Sequence, residues 1–134
     1  MITTFPVRND SAARKWLEGQ GLVIPSPFLG WLCMDRGQTV RGAVGLYSSQ
    51  DGEDCEMAII GGWSLNGARK LFREIFGPLG HDRISARCLA SNARNIRTLE
   101  RIGFRIEGRK RLRDGDHILL GMFREECRLL SKGN

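Results

Sequence analysis

Residues 83–104 constrain the fold more than any other stretch, because the hydrophobic period changes inside them. Ile84, Ala86, Cys88 and Ala90 alternate with Arg83, Ser85, Arg87 and Leu89, the period of two of a strand with unequal faces. Past Ser91 and Asn92 the period lengthens. Ile96, Leu99 and Ile102 recur at three-residue steps, with Arg94, Arg97, Glu100 and Arg101 between them, which is one apolar stripe on a solvated helix. Ser91 or Asn92 supplies the cap, and Gly103 followed by Phe104 reads as a left-handed stop with an apolar residue folding back. A strand that feeds a helix start leaves unpaired backbone N–H groups aimed at one spot, which suits an acyl oxygen or a phosphate.

The other elements arrange themselves around this unit. Residues 2–7 read as a first strand ended by Pro6 and the polar Arg8-Asn9, and a cap at Asp10 or Ser11 opens a helix through Ala12, Ala13, Trp16 and Leu17. Residues 28–34, 39–49 and 54–60 form an antiparallel meander joined by turns at 35–38 and 50–53. Gly61-Gly62-Trp63-Ser64 breaks the third of these strands. A helix then runs along Leu65, Ala68, Leu71, Phe72, Ile75 and Phe76 until Gly77-Pro78. The order strand, helix, strand over residues 54–90 is a crossover, so those two strands lie parallel in a sheet otherwise built of hairpins. Residues 104–113 and 116–124 close the chain as a hairpin over Asp114-Gly115. The expected class is α+β, one domain over residues 1–134, with a mixed and mostly antiparallel sheet flanked by helices.

In that context Asn92, Asn95, Leu99, Glu100, Gly103 and Phe104, followed by Glu107, Gly108 and Arg111, are similar to a segment of the GNAT superfamily of acetyltransferases. That segment, N-x-x-[AS]-x-x-x-x-E-x-x-G-F-x-x-E-G, closes the acetyl-CoA site. The resemblance extends over residues 54–130. Residues 117–125 look like the last strand of the ribosomal-protein N-terminal acetyltransferase branch and of small GNAT proteins often carried by phages or prophages. It implies that the strands at 54–60 and 83–90 splay apart to admit the pantetheine arm of acetyl-CoA along Ile59 and Ile60. It also implies that the turn and helix start at Gly61, Gly62, Asn66, Gly67 and Ala68 hold the pyrophosphate through backbone N–H groups. Aligned on Leu71, the family pattern [QR]-x-x-G-x-[GA] falls on Trp63, Asn66 and Ala68, and only Ala68 agrees. Asn92 and Asn95 would bind pantetheine amides, and Arg94 and Arg97 a coenzyme phosphate.

The implied chemistry is attack of an amine on the thioester in a ternary complex, with no covalent enzyme intermediate. A base must take the amine's proton, and Glu56 lies in the strand beside the expected thioester position. Many family members carry a Tyr where this chain has Leu99, which has no proton to give; Tyr47, the single tyrosine, falls on a different strand and reads as packing. The alternative is a non-catalytic acyl-CoA-binding or partner-binding module.

Charge and composition narrow the partners. Residues 1–67 hold 5 basic and 7 acidic side chains and residues 68–134 hold 16 and 8, so the halves carry −2 and +8. A basic half suits coenzyme phosphates. It lacks the interleaved exposed aromatics of a stacking platform, which argues against nucleic acid. His81 and His117 have no close ligand partners, so no metal is expected, and the four cysteines are far apart, as in a reduced cytoplasmic chain. No segment reads as a membrane span. About thirty residues before the second strand must supply both the first strand and the wall of the acceptor pocket. A thin wall favours a protein or peptide amine, with the acidic Glu53-Asp54 turn near the mouth, and leaves room for a homodimer that completes the pocket.

Overall fold

A computed structural model describes residues 3–25, 27–48 and 55–130. The elements run β1 (Phe5–Arg8), α1 (Asp10–Gly19), β2 (Phe28–Met34), β3 (Val40–Ser48), β4 (Cys55–Gly61), α2 (Leu65–Phe76), β5 (Arg83–Leu89), α3 (Ala93–Ile102), β6 (Arg105–Leu112) and β7 (Gly115–Phe123), followed by two short 3₁₀ turns. The strands form one sheet in the order β1-β2-β3-β4-β5-β7-β6. Among the described residues only β4 and β5 run parallel, joined by the α2 crossover, as the strand, helix, strand order requires. Ile2, the turn at 50–53 and the Glu53-Asp54 pair lie outside the described residues. No helix among the described residues is long and apolar enough to cross a membrane.

Each face of the sheet has its own core. On one side α2 and α3 bury Phe72, Ile75, Leu99 and Ile102 against Trp31, Val44, Ile84, Leu120 and Met122. On the other, α1 seats Ala13 and Leu17 over Phe28 and Ala43. Cys33, Cys55 and Cys88 fill strand positions as small buried hydrophobes, and no disulfide links them. Burial pushes the Cys33 thiol up to about 11.

Three local expectations shift by a residue or two. Pro6 lies inside β1 rather than ending it, because β1 is an edge strand and the missing N–H costs no ladder bond. The cap of α1 is Asn9, whose side chain accepts from the Ala12 N–H at 3.1 Å. Asp10 is instead drawn to Arg8 at 2.6 Å and to the Gly30 N–H at 2.8 Å, so it ties the helix start to β2. In the last hairpin Leu112 faces Gly115, so the loop residues are Arg113 and Asp114, and Gly115 takes the positive φ of 124°.

The start of α2 is anchored to the start of the chain. Ser64 caps it, accepting from the Gly67 N–H at 3.2 Å, and its Oγ also accepts from the Thr4 N–H at 3.0 Å. The Ser64 N–H in turn donates to Thr4 Oγ1 at 2.9 Å. Both side chains are buried, so each bond is made where water cannot replace it.

Candidate active site

The β4–β5 ladder is short. Cys55, Glu56 and Met57 pair with Ile84, Ser85 and Ala86, and there the pairing stops. Beyond it β4 stays with β3 as far as Gly61, and β5 stays with β7 as far as Leu89. The backbone groups of Ala58 to Gly61 and of Arg87 to Leu89 that point into the gap therefore have no strand partner. The gap opens into a cleft of about 730 Å³ between the start of α2 and the flank of α3.

Both helix starts border this cleft. Asn92 caps α3, its side chain accepting from the Asn95 N–H at 3.2 Å. The positive ends of the two helix dipoles meet Arg94 and Arg101 on the same wall, a setting that favours an anion. Gly61 holds a φ of +93°, and a Cβ there would come within 2.5 Å of the Arg41 carbonyl oxygen. Only glycine lets β4 turn away from β3 at this point.

Of the residues singled out from the sequence, Ile59, Ile60, Gly61, Gly62, Ala68, Asn92, Arg94 and Asn95 line the cleft. The Asn95 side chain also lies beside the Cys88 thiol of β5, at the edge of the gap. Asn66, Gly67 and Arg97 are not on the wall. Gly67 spends its N–H on Ser64, and a Cβ on it would meet the Thr4 carbonyl oxygen at 2.6 Å, so its smallness serves packing against the chain start. Asn66 and Arg97 are exposed away from the cleft. Thr98, Arg101 and Ile102 line the cleft although the sequence reading did not single them out for it. The signal was present: Asn95, Thr98 and Ile102 follow one another at helical steps of three and four.

Glu56 stands on the α1 side of the sheet at the last paired residues before the gap. Tyr47 is its direct partner across β3 and β4, and the Tyr47 hydroxyl donates to Glu56 Oε2 at 2.9 Å. Arg87 reaches the same oxygen from β5, with Nε at 3.3 Å. Tyr47, read from the sequence as packing alone, is thus coupled to the candidate base. Leu99 is 1 % exposed and packs in the α2–α3 core, so it has no contact with this group.

Burial, and then the negative charge of Glu56 and the hydrogen bond to it, hold the Tyr47 phenol above its ordinary value of 10.0. The folded chain keeps this proton more tightly than the unfolded chain does. The stability the group contributes is therefore complete below pH 10 and lost as pH rises above it. Because Tyr47 is the only tyrosine, absorbance near 295 nm reads this one phenol. The wild type is expected to titrate above free tyrosine, and Glu56→Gln to bring the midpoint down; an unshifted wild-type curve would contradict the placement.

A mixed sheet whose one parallel pair parts beside a helix cap is the architecture of the GNAT acyltransferase fold, and this chain has that fold. It superposes on a chimera of the Vibrio cholerae spermidine N-acetyltransferase SpeG with hSSAT at a TM-score of 0.73, 13% identity, covering 92% of this chain and 96% of that one. A dodecameric spermidine N-acetyltransferase from Vibrio cholerae also gives 0.73, at 12% identity over 98% and 99% of the two chains. A GNAT-family acetyltransferase from Bacillus anthracis gives 0.62, at 20% identity over 72% and 67%. No family model and no curated sequence matches the chain.

Proposed function

We propose that the chain is an acetyl-CoA-dependent N-acetyltransferase acting on a primary amine, and that the cleft between α2 and α3 holds the coenzyme. The observation that carries this reading is the parting of β4 and β5 directly beside the Asn92 cap. The residues present suit the coenzyme. Open strand edges offer peptide-like groups to a pantetheine arm, and two helix starts with Arg94 and Arg101 offer donors and positive charge to a pyrophosphate. Acetyl-CoA, when bound, supplies the activated thioester. Glu56 takes the proton of the amine, and Tyr47 holds the carboxylate in place through its hydroxyl. Leu99 contributes nothing to proton transfer, so solvent protonates the departing thiolate.

Calorimetric titration with acetyl-CoA is the test. At a hundredfold excess over Kd the ligand stabilises the fold by about 2.7 kcal/mol, which raises Tm by on the order of 10 °C for a chain of this size. Absence of both heat and shift in folded protein would overturn the reading. A binding module without turnover would give heat but no thiol release on adding amines.

For the acceptor we favour a protein or peptide amine, because among the described residues α1 is the one helix on the Glu56 side and it rests on β2 and β3. A polyamine is the second reading, favoured by the spermidine acetyltransferases that share the fold. Relative kcat/KM for a short peptide and for spermidine decides between them, and the peptide is expected to be the better substrate.

A further inference from the structure

Glu56 and Arg87 lie side by side, an acid and a base 3.3 Å apart, on β4 and β5 of the sheet face where α1 packs on β2 and β3. The guanidinium approaches Glu56 through Nε, the inner end of its planar fork. It is 36% exposed, whereas the Glu56 carboxylate is 14% exposed and held by Tyr47. The pair is therefore asymmetric, with one end fixed and the other able to reach a ligand.

This arrangement has a consequence for what docks beside Glu56. A bare cation approaching the carboxylate meets the charge of Arg87 and loses much of the attraction that Glu56 alone would exert. A ligand carrying its own carboxylate next to its amine meets a complementary pattern, amine to Glu56 and carboxylate to the planar fork of Arg87. We propose that Arg87 is the specificity-determining residue of the acceptor site, and that the acceptor is a primary amine with a carboxylate on the same or the next residue. This rests on the transferase reading for the role of Glu56. The chemistry is shared by a free amino acid and by a peptide whose second residue is acidic.

The same geometry makes a polyamine a poor ligand, because its further ammonium groups find Arg87 rather than a carboxylate.

Four acceptors separate the outcomes: the amidated tripeptides Ala-Asp-Ala and Ala-Lys-Ala, free alanine, and spermidine. Thiol release by the wild type is expected to favour Ala-Asp-Ala or alanine over Ala-Lys-Ala and spermidine by tenfold or more in kcat/KM, and the better of the two identifies the source of the carboxylate. Arg87→Ala should erase that preference mainly through KM, lowering kcat/KM for the carboxylate-bearing acceptors by at least tenfold more than for Ala-Lys-Ala. Arg87→Lys, which keeps the charge but not the fork, should restore part of it. Equal losses on all four acceptors, or a wild-type preference for spermidine, would overturn the proposal. If acetyl-CoA neither binds nor turns over, the transferase reading has failed by itself. Calorimetry of the same ligands then decides for Arg87: weaker binding of the carboxylate-bearing ligands in Arg87→Ala supports the pair, and no difference from wild type refutes it.

Discussion

Glu56→Gln is expected to lower kcat by about 10²–10⁴-fold, the range associated with loss of a positioned general base. Acetyl-CoA affinity should stay within about twofold, since Glu56 is not on the wall of the cleft between α2 and α3. The amide has the shape of the carboxylate and still accepts from the Tyr47 hydroxyl, so the β3–β4 pairing at this position survives the change. What is lost is the ability to take a proton and the charge that faces Arg87. Tyr47→Phe removes the positioning bond and keeps the base, so its loss should be smaller, roughly tenfold. Steady-state thiol release with the preferred amine measures both. A Glu56→Gln enzyme with full turnover would remove Glu56 from the chemistry, and Tyr47 with it. Burial raises the thiols of Cys33, Cys88 and Cys127, which slows their reaction with a thiol reagent.

Gly103→Ala and Gly108→Ala should differ sharply in stability, although both glycines belong to the motif that marks the GNAT resemblance. Gly103 ends α3 with a φ of +132°. A side chain there is strained in that conformation and would also strike the carbonyl oxygen of Glu126. Left-handed strain of about 1–2 kcal/mol and overpacking of about 1–3 kcal/mol combine to a loss of roughly 2–5 kcal/mol. For Gly108 the nearest atom to an added Cβ is a Leu119 methyl at 3.6 Å, an ordinary contact, so the change is expected to stay within about 0.5 kcal/mol. Thermal melts of the two variants make the comparison. Equal melting temperatures would show that the α3 terminus is not built as described.

The residues alone carried most of the element boundaries. The apolar stripe of α2 begins and ends at Leu65 and Phe76, as its three- and four-residue steps imply. Gly103 and Phe104 close α3 as the stop signal requires, with the Phe104 N–H returning to the Leu99 carbonyl at 3.0 Å. These features depend on neighbours within one turn of the chain, where propensity and periodicity act.

Contacts between distant residues were decided by packing. Which flank of α3 borders the cleft depends on how the helix is rotated over the sheet. That rotation placed Thr98 and Arg101 on the wall and turned Arg97 away. Tyr47 opposite Glu56 was within reach of the sequence once residues 39–49 and 54–60 are read as a hairpin, but the register itself had to come from the folded pair. Arg87 was not within reach. It meets Glu56 because β5 lies parallel to β4 with Ser85 opposite Glu56, an offset set by where the buried face of α2 settles on both strands. A crossover fixes direction and handedness from the order of its elements, whereas its register comes only from the fit of the completed core.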